Sequence, residues 1–180
     1  MYNIVRISES FRSSSDSLKA DAAVALIFKI FEHNVHILLV KRVENASDPW
    51  SGQMALPGGK KDVEDRDLKE TIVRETLEEI GINLVDQCRF LGVMNPVRLK
   101  HRPMKILPFV YFTTNELKIM INRKELEKFV WIPSSQLNNP NGSVSYMNLE
   151  YPAFIINEDI IWGLTYKLLT EFKQIIDSTL

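Results

Sequence analysis

Residues 56–82 decide the fold, and from Leu56 to Ile82 they read LPGGKKDVEDRDLKETIVRETLEEIGI. The tripeptide Pro57-Gly58-Gly59 predicts a break in any regular structure. Polar residues continue from there to Asp65, which predicts a loop. The spacing of apolar residues then changes to that of an α-helix. We therefore predict a break, a polar loop and a helix, in that order.

The helix is predicted from apolar residues that recur at helical intervals. They are Leu68, Ile72, Val73, Leu77 and Ile80. Asp67, with Glu70 three residues later, is typical of the capping box that begins a helix. Gly81 provides a C-terminal stop, because glycine readily adopts the left-handed conformation that ends helices. A helix is therefore expected between Asp67 and Gly81.

Three glutamates crowd together on this helix. At about 100° per residue, Glu75, Glu78 and Glu79 share an arc of roughly 100°. Like charges at this spacing disfavour an isolated helix by about 0.3 kcal/mol per pair, a cost that a bound divalent cation would reverse. Carboxylate oxygens suit Mg²⁺ or Mn²⁺ better than zinc. The alternative is a solvated acidic helix face.

The string RETLEEIG, from Arg74 to Gly81, follows a Gly-Gly loop and resembles the signature box of the Nudix hydrolase family. The family pattern is G-x5-E-x7-R-E-U-x-E-E-x-G-U, in which U is an aliphatic residue. In this chain Thr76 holds the first U position, and Asp65 stands where the pattern has its first Glu. Eight residues separate Asp65 from Arg74, one more than in the pattern.

This one-residue expansion resembles the coenzyme A pyrophosphatase branch of the family. The segments DPWSGQMALPGG from Asp48 and YPAFIINEDIIWGLTYKLL from Tyr151 are similar to the flanks of the box in the same branch. Arg42 matches an arginine of the branch's upstream signature, whereas Leu56 replaces its phenylalanine. The likeness covers roughly residues 22–175.

The resemblance implies a role for each residue of the box. Glu75, Glu78 and Glu79 would hold the metal ions, Mg²⁺ or Mn²⁺. Gly59, which lacks a Cβ, would let its carbonyl approach a metal. Arg74 would orient the carboxylates through charge-assisted hydrogen bonds. Arg74 and the three glutamates are therefore the predicted catalytic residues.

Alternatives remain open for two side chains of the box. Arg74 would form an ordinary i,i+4 ion pair with Glu70 if it had no role in the site. Asp65 is either an outer-sphere metal ligand or the N-terminal cap of the helix.

The basic residues predicted to bind substrate are Arg42, Lys60, Arg98 and Arg102. The last two belong to a basic loop between Pro96 and Pro108, which contains Arg98, Lys100, His101, Arg102 and Lys105. The alternative for this loop is a solvated hairpin tip. Lys61 is a further candidate for phosphate binding. Aromatic residues such as Trp50, Tyr146 and Trp162 are candidates to stack on a base, but most aromatic residues should belong to the core or an interface. Packing is favoured over ligand contact for Trp162, and Trp50, in a loop next to the box, is the residue to test.

Elsewhere, β-branched and aliphatic runs predict strands. Residues 22–31 and 35–41, separated by the polar Glu32-His33-Asn34, are typical of a hairpin. Further strands are predicted at 53–56, 89–94, 106–113 and 129–132, with 155–156 as part of another. The tail from Asp159 predicts a final helix that covers one face of the sheet. Its apolar stripe consists of Leu164, Leu168, Phe172, Ile175 and Ile176.

Strands and helices interleaved in this order predict an α/β (α+β) fold with a mixed β-sheet and helices on its faces. The family resemblance implies the Nudix-type α/β/α sandwich. We assign residues 1–21 to an N-terminal extension and residues 22–180 to a single Nudix hydrolase domain.

Composition and charge limit the class of protein. The chain has 180 residues, of which 45% are apolar and 25% charged, as in one ordinary globular domain. Its net charge of -1 predicts no long-range attraction to nucleic acid or to an anionic membrane. The lone Cys88 excludes an intramolecular disulfide. Together with the lack of a secretory signal or membrane span in the sequence, this cysteine usage predicts a cytoplasmic protein.

The resemblance implies a metal-dependent pyrophosphohydrolase, in which water attacks a phosphorus of a nucleoside diphosphate linked to another moiety. The substrate would be coenzyme A or a related thioester, ADP-ribose or a damaged nucleotide. The general base would be Glu79, or else Glu125 or Glu127, although solvated surface positions are the simpler interpretation of the last two. The alternative is a non-catalytic nucleotide-binding or sensor Nudix domain. A homodimer is expected from the family.

Two other activities of the family fit this sequence poorly. The isoprenoid diphosphate isomerase depends on an active-site cysteine, and Cys88 lies after the box in an unlike position. Hydrolysis of an RNA cap would favour a larger basic surface than this charge balance offers.

Overall fold

The computed structural model describes residues 3–14, 18–45, 51–99 and 102–179. Its strands are β1 (Ala22–Phe31), β2 (Asn34–Arg42), β3 (Met54–Ala55), β4 (Gly58–Lys60), β5 (Arg89–Val93), β6 (Val97–Arg98), β7 (Lys105–Phe112), β8 (Leu126–Pro133), β9 (Gly142–Tyr146), β10 (Leu149–Ile156) and β11 (Asp159–Trp162). Its helices are α1 (Ile4–Glu9), α2 (Leu68–Ile80), α3 (Leu84–Gln87) and α4 (Gly163–Ser178), with a 3₁₀ helix at Ser134–Leu137.

The larger sheet is mixed, as predicted. Its strand order is β3-β2-β1-β7-β5, with β4 beside β1, β6 beside β7 and β8 beside β2. The central pair β1 and β7 is parallel, whereas the other pairs are antiparallel. Strands β9, β10 and β11 form a separate antiparallel sheet.

Helices cover both faces of the larger sheet. Alternate residues of β1 point to opposite faces. Ala25 and Ile27 pack in the same apolar cluster as Ile72 of α2. Phe28 packs in the other cluster, which contains Phe172 of α4. The predicted α/β/α sandwich is therefore confirmed.

The hairpin between β1 and β2 is confirmed, with a tighter turn than predicted. Glu32 and His33 have φ of 47° and 62°, and Asn34 already belongs to β2, where it pairs with Phe31. A two-residue turn with positive φ at both positions matches the right-handed twist of the strands that it joins.

The predicted break at Pro57-Gly58-Gly59 is wrong, because Gly58 and Gly59 belong to strand β4. This strand pairs antiparallel with β1, with Gly58 opposite Val24 and Gly59 opposite Ala23. Gly58 has a φ of 144°, and a Cβ there would lie 2.2 Å from the carbonyl oxygen of Ala23. Glycine therefore permits the close approach of β4 to β1 at a conformation that other residues rarely adopt.

Helix α2 confirms the predicted boundaries. The Asp67 carboxylate caps its start by accepting from the Glu70 backbone N–H at 2.8 Å, and Gly81 ends it with a φ of 71°. Leu77 does not belong to the buried face, because 52% of its surface is exposed. Thr71 and Thr76 are buried in addition to the apolar residues.

Helix α4 also confirms its predicted stripe. Leu168, Phe172 and Ile176 are buried, and Leu164 and Ile175 pack at the edge of the same core. The helix therefore covers the face of the sheet opposite α2.

The residues described before β1 pack against the same core. Ile7 of α1 is fully buried, and the ring of Phe11 stacks on Phe172 with centroids 6.3 Å apart. Among the helices of the described residues, none combines the length and apolar character needed to cross a bilayer.

Candidate active site

A cavity of about 580 Å³ is lined by both sheets, by α2 and by the first turn of α4. Three carboxylates and five basic side chains contribute to its lining. They are Glu75, Glu79 and Glu125, together with Arg42, Lys60, Arg98, Arg102 and Lys167. The cavity thus combines opposite charges with an apolar floor, an arrangement typical of a site for an anionic ligand.

Glu79 is the most buried of these carboxylates, with 4% of its side chain exposed. It accepts a hydrogen bond from the Gly58 N–H at 2.9 Å, and its Oε1 lies 3.8 Å from Nη1 of Arg42. Burial raises the pKa of Glu79 to about 8, and the negative charge of Glu75 acts in the same direction. The site therefore holds a carboxylate whose negative charge the protein compensates only in part.

Glu75 lies against β4 because residue 59 is glycine. A Cβ built on Gly59 would lie 2.3 Å from Cδ of Glu75, which is too close for any other residue without a shift of the carboxylate. Burial also raises the pKa of Glu75, although hydrogen bonding to Arg74 opposes this change. Gly59 and Glu75 are thus in direct contact within the lining of the cavity.

Arg74 connects the helix to the loop before it. Its Nε and Nη2 donate to the two carboxylate oxygens of Asp65 at 3.0 and 2.9 Å. Its Nη1 donates to Glu75 at 3.0 Å and to Glu78 at 3.2 Å. The alternative pairing of Arg74 with Glu70 is wrong, because Glu70 pairs with Arg66. Arg74 therefore orients carboxylates.

Asp65 does not cap the helix, because Asp67 holds that position. The Asp65 side chain is buried and accepts from the Asp62 N–H at 2.9 Å as well as from Arg74. Hydrogen bonds from Arg74 hold the pKa of Asp65 well below its usual range. The expanded loop before α2 thus supplies Arg74 with a charged hydrogen-bond acceptor, the Asp65 carboxylate. An outer-sphere role of Asp65 toward a metal stays a prediction.

Glu78 differs from the other two glutamates of the box. Its side chain is 58% exposed and bonds to Arg74, and it does not line the cavity. Within the described residues, no three His, Cys, Asp or Glu side chains converge as a preformed metal-binding group. Arg74 binds both Glu75 and Glu78, whereas the Gly58 N–H binds Glu79, so Glu79 has a different partner from the other two carboxylates.

The structure brings all four predicted substrate-binding side chains to the cavity, namely Arg42, Lys60, Arg98 and Arg102. The Lys61 ammonium instead donates to the backbone carbonyl of Asp65. Lys100 and His101 of the basic loop lie outside the described residues, as does Trp50.

The three candidates for the general base differ in whether they line the cavity. Glu125 lines the cavity and accepts from the side chain of Asn122 at 2.8 Å. Glu127 does not line the cavity and forms an ion pair with Lys41 at 3.2 Å. Glu79 and Glu125 are therefore the candidates that lie in the cavity.

Sequence reasoning missed an aromatic cluster on the cavity wall. Trp162 contacts Tyr146 and Tyr151, with ring centroids 5.3 and 5.8 Å apart, and all three residues line the cavity. The sequence favours packing over ligand contact for Trp162, whereas the structure places it on the cavity wall. The cluster has no local signal in the sequence, because the pairing of β9, β10 and β11 brings its members together.

The family comparison identifies the domain. Residues 20–148 match the family model described as NUDIX domain. The chain therefore belongs to the Nudix family.

Two relatives are named as coenzyme A diphosphatases. The chain is 33% identical to the peroxisomal coenzyme A diphosphatase ndx-8 of Caenorhabditis elegans, over 47% of this chain and 36% of the relative. It is 24% identical to the human mitochondrial coenzyme A diphosphatase NUDT8, over 76% of this chain and 60% of the relative. The chain spans about half the length of the curated relatives that it matches first.

The fold is shared with solved structures of low sequence identity. A MutT/nudix family protein from Enterococcus faecalis superimposes with a TM-score of 0.56 at 15% identity. The match covers 88% of this chain and 63% of that protein, and it supports the fold alone.

Proposed function

We propose that this chain is a metal-dependent pyrophosphohydrolase that cleaves a nucleoside diphosphate linked to another moiety. The observation that carries the proposal is the juxtaposition of Glu75 and Glu79 with Arg42 and Lys60 in one cavity. A diphosphate is strongly anionic, so its hydrolysis needs positive charge on its oxygens and a means of activating water. The cavity provides residues suited to both tasks.

The residues of the cavity fit a divalent cation in two respects. Gly59 leaves room for the Glu75 carboxylate where a Cβ would collide with it. The Glu79 side chain is almost fully buried, and the nearest guanidinium nitrogen of Arg42 lies 3.8 Å from its Oε1, longer than a hydrogen bond. Glu75, Glu79 and the Gly59 carbonyl would hold Mg²⁺ or Mn²⁺, and Glu78 would join them on release from Arg74. A cation bound there supplies charge neutralisation on the diphosphate and lowers the pKa of water.

The basic side chains bind and orient the phosphates. Arg42 belongs to β2 and Lys60 to β4, so ordered strands hold both residues beside α2. Arg98 is the last residue of β6, and Arg102 lies in the segment between β6 and β7. Arginine forms two parallel hydrogen bonds to phosphate oxygens, and this fixes the orientation of the group. The four side chains therefore align the diphosphate with the carboxylates.

A carboxylate of the cavity accepts the proton of the attacking water. Glu79 is the first candidate, because its carboxylate is buried in the lining of the cavity, and it would accept the proton through an oxygen that does not bind the metal ion. Glu125 is the second candidate, since it lines the same cavity. A kinetic comparison of the Glu79→Gln and Glu125→Gln variants assigns the base.

The names of the relatives support coenzyme A or a related compound as the first substrate to test. ADP-ribose and damaged nucleotides are the next candidates. The cytoplasmic location and the homodimer stay predictions, and the two named relatives are peroxisomal and mitochondrial.

The test is product release from a panel of coenzyme A, ADP-ribose, NADH, dinucleoside polyphosphates and oxidised deoxynucleotides, with Mg²⁺ and with a chelator. We expect cleavage of at least one compound with Mg²⁺, and a loss of at least about 100-fold in the Glu79→Gln variant. The exposed Glu64, changed to Gln, is the matched control and should retain activity. Binding without cleavage of any compound would instead favour the sensor domain.

A further inference from the structure

One wall of the cavity carries three aromatic side chains, here called the aromatic wall: Tyr146, Tyr151 and Trp162. Trp162 contacts both tyrosines, with interplanar angles of 55° to Tyr146 and 58° to Tyr151. The residues come from β9, β10 and β11, and the pairing of these strands sets their positions.

The aromatic wall differs from the aromatic residues of the core in its exposure. Phe28, Phe154 and Phe172 are almost fully buried. Tyr146 is 37% exposed, and Tyr151 and Trp162 are only partly buried, all at the surface of the cavity. Aromatic rings that retain exposed surface in a concave site offer area that a planar ligand can cover.

The cavity therefore has two kinds of lining with different chemistry. Glu75, Glu79 and Arg42 form a charged part, suited to phosphates and their counter-ions. The aromatic wall forms an uncharged part, suited to stacking, which every nucleobase allows because each has a π-face. A nucleotide has the same two parts, an anionic phosphate end and a flat aromatic end.

We propose that the aromatic wall binds the nucleobase of the substrate and thereby selects diphosphates that carry a base. This inference rests on the function proposed above, and it adds Tyr146, Tyr151 and Trp162 as specificity-determining residues. An aliphatic ligand would gain no comparable advantage from three rings, because aliphatic residues elsewhere in the cavity would serve it equally well.

The test compares AMP with ribose 5-phosphate, which has the same sugar and phosphate but no base, by titration calorimetry without turnover. We expect the wild-type chain to bind AMP at least about tenfold more tightly, the gain typical of base stacking. Trp162→Leu and Tyr146→Leu should each remove most of that preference. The Trp131→Leu variant is the matched control, because Trp131 lies in β8 and does not line the cavity.

A second measurement separates binding from folding. Trp162 is partly buried at the start of α4, so each variant is checked by thermal unfolding, and Tyr146→Leu tests the wall even if Trp162→Leu fails to fold. Tyr146→Phe keeps the ring and should retain the preference for AMP. Equal affinity of the wild type for AMP and ribose 5-phosphate would overturn the proposal, as would full preference in a folded Tyr146→Leu variant.

These outcomes are distinct from those of the hydrolysis test. Preference for AMP without cleavage of any compound would overturn the proposed function and leave the aromatic wall as a base-binding site. Cleavage with no effect of the base or of the ring variants would overturn the role of the aromatic wall and leave the hydrolase intact.

Discussion

Arg74 holds Asp65 in a bidentate ion pair, with donor–acceptor distances of 3.0 and 2.9 Å. The same guanidinium binds Glu75 and Glu78, so one side chain joins the loop before α2 to the acidic face of the helix. Because Asp65 is buried, its charge depends on Arg74 for compensation. The loop and the site should therefore respond together when this pair is broken.

The Asp65→Asn substitution should lower the free energy of unfolding by about 2 kcal/mol, because it removes a charge-assisted pair whose Arg74 side is partly exposed. Activity should fall as well, since Arg74 would no longer be held. Urea denaturation and the rate of product release measure the two effects. The Glu64→Gln variant, an exposed change in the same loop, should leave both unchanged; an equal loss there would contradict a specific role of the pair.

The contribution of Asp65 to stability should depend on pH. Its pKa in the folded state lies well below 3.8, the ordinary value of an aspartate, so its stabilising effect is complete above pH 3.8. The effect is lost as the pH falls toward the folded-state pKa. The difference in unfolding free energy between the wild type and Asp65→Asn should thus be constant from pH 7 to about pH 5 and smaller at about pH 3. A difference that grows on acidification would contradict this assignment.

Substitution of alanine for Gly58 or for Gly59 should affect stability and activity to different extents. A Cβ on Gly58 meets the backbone of Ala23, which cannot move without disrupting the pairing of β4 with β1. Gly58→Ala should therefore cost about 3 kcal/mol of stability. A Cβ on Gly59 meets the end of the Glu75 side chain, which can rotate away. Gly59→Ala should cost about 1 kcal/mol or less but reduce activity at least about tenfold. Thermal unfolding and kinetics of both variants provide the test, and equal loss of stability would contradict it.

Leu77 and Ile72 belong to the same predicted stripe but occupy different environments. Leu77 is exposed and Ile72 is fully buried. Ile72→Ala should lower the free energy of unfolding by about 2–5 kcal/mol, because it leaves a cavity in the core. Leu77→Ala should change it by about 0.5 kcal/mol or less. Denaturation curves of the two variants decide the matter, and a large loss in Leu77→Ala would show that this side chain is covered in solution.

Helix α2 could be predicted from the sequence because its signals are local. The apolar period, the Asp67 cap and the Gly81 stop all lie within one segment. Periodicity does not reveal how much of the helix surface the sheet covers, so it predicts Leu77 on the buried face and does not predict the burial of Thr71. The hairpin was found for the same reason as the helix, since its turn separates two runs that are adjacent in the chain.

Pairing between segments that are distant in sequence explains why some predictions of the fold were wrong. Glycine and proline predict a break at residues 57–59, but β1 supplies a partner for Gly58 and Gly59 that no local pattern shows. Short strands such as β6 and β9 lack a period long enough to recognise. They form because β7 and β10 lie beside them.

The residues of the candidate site that belong to the box or its flanks could be predicted from the sequence. The box and its flanks pointed to Glu75, Glu79, Gly59 and Arg42, and the structure places these residues in one cavity. The partners of Arg74 could not be inferred, because the Asp65 contact depends on how the expanded loop folds back. The sequence does not show that the aromatic wall forms a cluster, because its tyrosines lie in β9 and β10, far from the box in sequence.

The most direct test of the account is the binding of Mn²⁺ to the chain, followed by electron paramagnetic resonance. We propose that Glu75 and Glu79 form a site for a divalent cation that the reaction needs. We predict that the wild type binds Mn²⁺ and that Glu79→Gln weakens binding at least about tenfold, while Glu116→Gln, an exposed control, leaves it unchanged. Equal Mn²⁺ affinity in wild type and Glu79→Gln, or no binding at millimolar Mn²⁺, would contradict the claim.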